Sequence, residues 1–462
     1  MSTIVFIVYP AESHHNATFK LARRLRENGN RVVYVVHEQF AGLIAAQDFD
    51  FYVLKRRVLP SPFKTHLRHK ELKPLFIADF REGTFYDEMA ADLRPDLILL
   101  DYPLLPYAVF LQRCGAQIIA LQTMVCLRKD RLIPPVNRTI VPQNNWWSHL
   151  KVEASWVAYF VTRFLSERQQ AYLYGESETS LLRKAVDESP HFAAGDIDTD
   201  VYLHYGLKNY PQLVFSPREF DFPRPDRPDI HYIGPVVDLS RRDVLVPKYG
   251  KNITDTLHRL AEKKKKDPAH QVVFCSLGVN NHLHYDQCPA FFQKIIAVFE
   301  ARPAVDLVLA VGVNTPTGHF TVNTPNIHLF GAVPQLAVLP LASLMITHGG
   351  MNSLTECLYF GVPVVVYALS LDIDQRGNGA RAAYHGLGVQ GDIRRDGVRQ
   401  IGRRVDEVLG NPAYRRRTAE MGQRVKNSPD FERGVRFIES KLTKDKNPLQ
   451  FTHVIPESGH PE

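Results

Sequence analysis

The chain has 462 residues, 45% of them hydrophobic and 23% charged, with a formal net charge of +7 and a pI near 9.0. That length exceeds what one ordinary core organises and predicts two domains of ordinary soluble composition. The charge is too mild for a nucleic-acid-binding surface. Five widely spaced cysteines without a CxxC pair argue against a disulfide framework or a structural zinc site, and for a reducing compartment.

The start, MSTIVFIVYPAESHH, reads as a first strand (Ile4 to Val8) and not as a signal peptide. No run of 18 apolar residues exists, so no membrane span is expected, and a cytoplasmic location is the expectation. Phe19 to Asn28 carries Leu21, Ala22 and Leu25 at helical spacing, and Gly29 stops it. Strands are predicted at Arg31 to Val36, Leu97 to Leu100 and Gln117 to Leu121. This β-α-β alternation implies a parallel sheet covered on both faces.

Residues 126 to 210 are less regular and hold all three tryptophans, Trp146, Trp147 and Trp156. The apolar stretch Val157 to Val161 is too short to span lipid; it reads equally as a core helix or as part of this irregular region. The end of the first domain falls near Ile233-Gly234-Pro235, followed by a Pro- and charge-rich linker. A second alternation has strands at Gln271 to Cys275, Asp306 to Val311, Asn326 to Phe330, Leu344 to Thr347 and Val364 to Tyr367. Basic helices follow between Val398 and Leu442. The boundaries expected are 1–237, a linker at 238–252, a second domain at 253–430, a terminal helix at 431–445 and a frayed tail at 446–462. Lys263 to Lys266 reads as a solvated face.

The most informative segment runs from Phe330 to Gly388. A buried strand leads into His348-Gly349-Gly350, then a helix opening at Met351-Asn352-Ser353. Glycines there let backbone approach a ligand closely, and a helix start offers unpaired N–H groups that suit a phosphate. His348 adds a donor, Glu356 a carboxylate suited to ribose hydroxyls, and Asp374-Gln375 groups suited to sugar hydroxyls.

This segment resembles the donor-binding signature of the UDP-glycosyltransferases, the family 1 glycosyltransferases of GT-B fold. The matching elements are Ala332-Val333-Pro334-Gln335, His348 through Glu356, Gly361-Val362-Pro363, Asp374 through Arg381 and Gly386-Leu387-Gly388. Two departures stand out: Ala332 replaces the Trp that stacks on uracil in plant members, and Tyr367-Ala368 lies where a Pro precedes the Asp-Gln pair. The resemblance implies an α/β protein of two facing Rossmann-like domains with parallel sheets and a cleft between them. It implies donor contacts from Ser276, Gly278, Val333, Gln335, His348, Gly350, Asn352, Ser353, Glu356, Asp374 and Gln375.

After the first strand, Leu21-Ala22, Leu25 and Gly29 set a register that places His14 on the family's catalytic base, with Ser13 replacing a Gly and His15 as the rival. Asp101, just past the end of a later strand, is implied to orient His14; Asp96 lies at the wrong end of that strand. Asn280 and Asn281 read as a plain turn. Asp372-Ile373-Asp374 and Asp196-Ile197-Asp198-Thr199-Asp200 are not expected to hold a metal. His282, His284 and Cys288 lack a fourth zinc partner.

The implied activity is inverting, metal-independent transfer of a hexose, glucose from UDP-glucose, to a hydroxyl of a small hydrophobic or aromatic acceptor such as a natural product. No cofactor is expected beyond the UDP-sugar co-substrate. The expected partners are that donor and the acceptor, with no nucleic acid and at most peripheral membrane contact, in a monomer or weak dimer. Two alternatives are a GT-B-fold nucleotide-sugar epimerase and a non-catalytic glycosyltransferase-like partner protein.

Overall fold

The structure is a computed structural model that describes residues 1–54, 72–82, 84, 86–203, 205–242, 252–278 and 287–442. Asn280, Asn281, His282, His284, most of the expected linker and the expected tail lie outside the described residues.

Two parallel sheets organise the chain. The strands of the first half are β1 (Thr3–Ile7), β2 (Arg31–Val36), β3 (Asp50–Val53), β4 (Leu97–Asp101), β5 (Gln117–Gln122), a small antiparallel pair β6 (Ile197–Asp198) and β7 (Gly206–Leu207), β8 (Gln212–Val214) and β9 (Ile230–Tyr232). Seven of them form one sheet in the order β3-β2-β1-β4-β5-β8-β9. The second half supplies β10 (Gln271–Ser276), β11 (Val305–Ala310), β12 (Ile327–Phe330), β13 (Leu344–Thr347), β14 (Val364–Val366) and β15 (Gly388–Gln390), in the order β12-β11-β10-β13-β14-β15.

The strands are apolar on both faces because both faces are covered. Along β1, Ile4 and Phe6 feed one core layer, while Val5 and Ile7 feed the other. Along β10, Val273 and Cys275 point to one layer and Val272 and Phe274 to the opposite one. Each sheet starts at its centre, winds outward, then crosses back. The reversal falls between β1 and β4 in the first sheet and between β10 and β13 in the second. Such switch points open a crevice beyond the carboxyl ends of the strands, which is where open α/β sheets bind ligands.

The first helix runs Glu12–Glu27, seven residues earlier than its periodicity predicts, so His14 and His15 sit in its first turn. Its N-cap is Ala11, which offers no side-chain cap, so the sequence carries no start signal there. The short strands β3, β8, β9 and β15 were not anticipated. Residues Trp146–Tyr174 form one helix of 29 residues, where the sequence reads as irregular. Its inner face buries Val152, Ser155 and Trp156, and its outer face is also rich in apolar residues, which erases the usual periodic signal.

The two halves are closely packed. The C-terminal helix Asp430–Leu442 lies against the first half: Val435 and Ile438 join the core of Ile4 and Phe6, and Phe437 stacks on His231 with ring centroids 3.9 Å apart. Arg381 of the second half donates to Asp221 of the first at 2.8 Å. Among the described residues no helix is long and apolar enough to cross a membrane, and the five cysteines are free.

Candidate functional site

Both switch points carry the residues singled out in the sequence. In the first sheet, His14 follows β1 and Asp101 ends β4, the two strands flanking the reversal. His14 Nδ1 lies 2.6 Å from Asp101 Oδ2. The Tyr9 backbone amide donates to the same carboxylate oxygen at 3.1 Å, and the Tyr9 ring sits 5.0 Å from the imidazole. Burial opposes protonation of His14, but the charge and hydrogen bond of Asp101 outweigh it and raise the imidazole pKa; Asp374, reaching in from the second half, adds to the rise. An Nδ1–H donated to Asp101 leaves Nε2 as the nitrogen able to accept a proton. The imidazole is partly exposed while Asp101 is buried.

His15 has a different environment. Its Nδ1 bonds the Ala11 carbonyl at 2.9 Å and its ring stacks on Phe40 at 4.8 Å. Burial pushes its pKa down to about 4. Of the two histidines, His14 alone faces a carboxylate.

In the second sheet, Ser276 ends β10, Gly278 follows it and His348 follows β13, again flanking the reversal. A Cβ on Gly278 would come 2.8 Å from His348 Cε1, and one on Gly350 would come 2.5 Å from His348 Nε2. The imidazole thus fits only because glycine stands on both sides. Gly278 also has φ +84°, which favours glycine. Burial lowers the His348 pKa to about 4, so the ring is neutral, and among the described residues its Nδ1 has no hydrogen-bond partner. Helix Met351–Phe360 begins immediately beyond, with Gly350 as N-cap and no capping side chain. Neutral imidazole, helix N-terminus and Ser353 in the first turn form a cradle of donors.

The remaining predicted donor residues surround this cradle. Glu356 is buried and accepts from Gln335 Nε2 at 2.6 Å and from Arg241 Nη1 at 2.9 Å. Val333 is half-buried in the loop leading to Gln335. Asn352 Nδ2 donates across the cleft to the Ser13 carbonyl at 2.6 Å, so the two switch points face one another. Asp374 accepts from Asn378 Nδ2 at 2.8 Å, and burial raises its pKa. The Gln375 side-chain oxygen accepts from the amides of Leu369 and Ser370 at 2.7 and 2.9 Å, so Nε2 is its group left for a ligand.

Three contributors escaped the sequence reading. Thr123 lies just past β5, with Oγ1 3.2 Å from His14 Nδ1; its position at the carboxyl edge beside β4 is the signal that points to it. Arg241 lies in the segment read as linker, where nothing marks it. Asn378 also donates to the Gly349 carbonyl at 2.9 Å, tying the Asp374–Gln375 segment to the glycine turn. A small cavity between the halves is lined by Asn16, Thr123, Arg241, Asn352, Thr355 and Glu356. Of the two Asp-x-Asp patterns, Asp198 is paired with Arg128, and no group of three ligating side chains occurs among the described residues.

Comparison with known proteins agrees with this geometry. Residues 298–435 match the family "Erythromycin biosynthesis protein CIII-like, C-terminal domain". The chain is 24% identical over 443 residues to the NDP-glycosyltransferase YjiC of Bacillus licheniformis, covering 94% of this chain and 96% of that one. It is 26% identical over 390 residues to the oleandomycin glycosyltransferase of Streptomyces antibioticus, covering 82% and 76%. The solved glycotransferase of kitacinnamycin superposes with a TM-score of 0.66 at 22% identity, over 96% of this chain and 99% of that one. The calicheamicin glycosyltransferase CalG4 gives 0.60 at 18% identity, over 96% and 98%.

Fold and site together define a glycosyltransferase of GT-B architecture, an enzyme that moves a sugar from a nucleotide-sugar donor to an acceptor. The chain is similar to the bacterial family 1 UDP-glycosyltransferases.

Proposed function

We propose that the protein transfers a hexose, glucose from UDP-glucose, to a hydroxyl of a small hydrophobic or aromatic acceptor of natural-product type, with inversion and without a metal. The observation that carries this reading is the His14–Asp101 contact at 2.6 Å, set at one switch point and facing the His348 cradle at the other. His14 Nε2 takes the acceptor proton while Asp101 steadies the imidazolium. The acceptor oxygen attacks the anomeric carbon from the face opposite the pyrophosphate. The bond from that carbon to the phosphate oxygen breaks, and UDP leaves carrying the electron pair. His348, Ser353 and the helix N-terminus stabilise the charge that develops on the leaving phosphate. These donors take the place of a divalent ion. Glu356 holds ribose hydroxyls, and Asp374 with the Gln375 amide reads the sugar.

Names of the relatives support a natural-product acceptor: oleandomycin for one curated protein, kitacinnamycin and calicheamicin for two solved structures. Incubation with UDP-glucose and a panel of phenolic acceptors tests the proposal. A glycoside is the expected product. A C2-epimer of the donor would instead mark an epimerase, and absence of any turnover a non-catalytic partner; either result overturns the reading.

A further inference from the structure

The long helix Trp146–Tyr174 carries a second surface with no part in the chemistry above. Its outward residues Trp147, Leu150, Val157, Val161, Phe164 and Leu165 are 53–60% exposed. Apart from the adjacent pair Phe164 and Leu165 they recur at intervals of three, four and seven, so they form one stripe roughly 27 Å long from Trp147 to Leu165. The Trp146 and Trp147 rings stack at 3.7 Å at its start. An apolar stripe of this length on a surface marks an interaction site.

Charge identifies what it meets. Along this helix the exposed charged side chains are Lys151 and Arg168, both cationic. The two carboxylates are less exposed and engaged: Glu153 lies 3.5 Å from Lys129 Nζ, and Glu167 accepts from the Thr179 amide at 3.1 Å. Paired copies centred on the helix would meet unfavourably. Antiparallel pairing sets Lys151 of one copy against Arg168 of the other, and parallel pairing sets each cation against its equivalent. Apolar residues flanked by two exposed cations, with the neighbouring Glu153 paired to Lys129 and tryptophans at one end, fit an anionic bilayer surface.

We propose that the outer face of this helix docks the protein on anionic phospholipid membranes, lying in the interface without spanning it. The helix remains tied to the site from its inner side. Trp156 Nε1 donates to the Ile133 carbonyl at 2.8 Å, and Tyr159 packs on Tyr202, whose hydroxyl donates to the Asp372 carbonyl at 2.9 Å. Docking therefore places the sugar-facing loop close to the bilayer, from which an apolar acceptor can be drawn. The proposal does not rest on the identity of donor or acceptor, and its test reads no sugar transfer.

The test is flotation of the full-length protein with phosphatidylglycerol–phosphatidylcholine vesicles, alongside pure phosphatidylcholine vesicles. Binding to the anionic vesicles that weakens with salt is expected. Lys151→Gln with Arg168→Gln should reduce partitioning about 30-fold, since each cation near such a surface contributes roughly a factor of five. Leu150→Glu with Val161→Glu should abolish it, with the melting temperature unchanged because both sites are exposed. The wild-type protein supplies an independent readout. Two of its three tryptophans lie on this face and the third, Trp156, is buried, so brominated lipid should quench up to roughly two-thirds of the total emission. Absence of flotation and quenching overturns the proposal. So does a dimer in sedimentation equilibrium that Leu150→Glu with Val161→Glu dissolves, which would make the stripe a self-interface.

Discussion

Arg381 and Asp221 form an ion pair at 2.8 Å in which both side chains are only 1% exposed, one from each half of the molecule. Asp221 also accepts from Arg224 at 3.0 Å and from the Tyr232 hydroxyl at 3.1 Å, and the Arg381 guanidinium lies over Phe222. Burial alone would raise the Asp221 pKa, but the two guanidinium groups hold it below the usual carboxylate range. A buried charge that loses its partner is costly, on the order of 3–5 kcal/mol. Because Asp221 keeps Arg224 and Tyr232, Arg381→Ala should lower unfolding stability by less than that, about 1.5–3 kcal/mol for one lost hydrogen bond to a charged group. Urea denaturation measures it, and a loss under about 1 kcal/mol would show that the pair is replaceable by solvent.

The pH dependence follows from His14. Its pKa is raised, chiefly because Asp101 outweighs burial, so the protonated, inactive form persists above the ordinary value of 6.5. The acid limb of kcat/KM should then lie above pH 6.5, with activity rising as pH increases through it. Asp101→Asn removes the raising charge and leaves burial, so the limb should move to lower pH while the maximal rate falls. A pH–rate profile of both proteins checks the sign; an unmoved limb would remove His14 as its source.

The His348 cradle depends on absent side chains. Gly350→Ala would place a Cβ 2.5 Å from His348 Nε2, and Gly278→Ala one 2.8 Å from Cε1 in backbone already at φ +84°. Each should weaken UDP binding by roughly tenfold or more by turning the imidazole away from the phosphate position, the equivalent of losing one hydrogen bond to a charged group. Calorimetric titration with UDP reads this directly, and unchanged affinity would place the phosphates elsewhere.

Donor choice should follow the ribose. A buried carboxylate that loses its hydroxyl partner costs roughly 1–3 kcal/mol, so kcat/KM should favour UDP-glucose over TDP-linked deoxysugars. Glu356→Ala should erase that preference. Because Glu356 already holds Arg241 and Gln335, the variant must be compared on both donors; a clear preference of the wild type for TDP-glucose contradicts the ribose assignment.

Metal independence is checked with excess EDTA. Transfer should persist if, as proposed, His348 and the helix start stabilise the pyrophosphate in place of a metal. Loss of activity restored by magnesium or manganese would move Asp372 and Asp374 into a metal-binding role.

Much of this was legible in the chain because strand-end chemistry is local. The run into His348-Gly349-Gly350 and the carboxylate at the end of Leu97 to Asp101 each sit within a few residues of a strong apolar strand. Side chains with long-range partners were not. Nothing near Arg241 shows that it reaches Glu356, 115 positions away, and nothing near Asn352 shows its bond to Ser13 across the cleft. Gln375 reads from the sequence as a sugar-binding amide, but nothing near it shows that its oxygen accepts from the amides of Leu369 and Ser370. The long helix was hidden because apolar residues on both its faces cancel the periodic signal.

The account stands most directly on His14. Its replacement by alanine removes the group proposed to take the acceptor proton and leaves the His348 cradle intact. Steady-state transfer by His14→Ala should fall on the order of 100- to 10,000-fold, while the UDP dissociation constant measured on the same protein stays near the wild-type value. Full activity in His14→Ala, with activity lost instead in His15→Ala, would contradict the account.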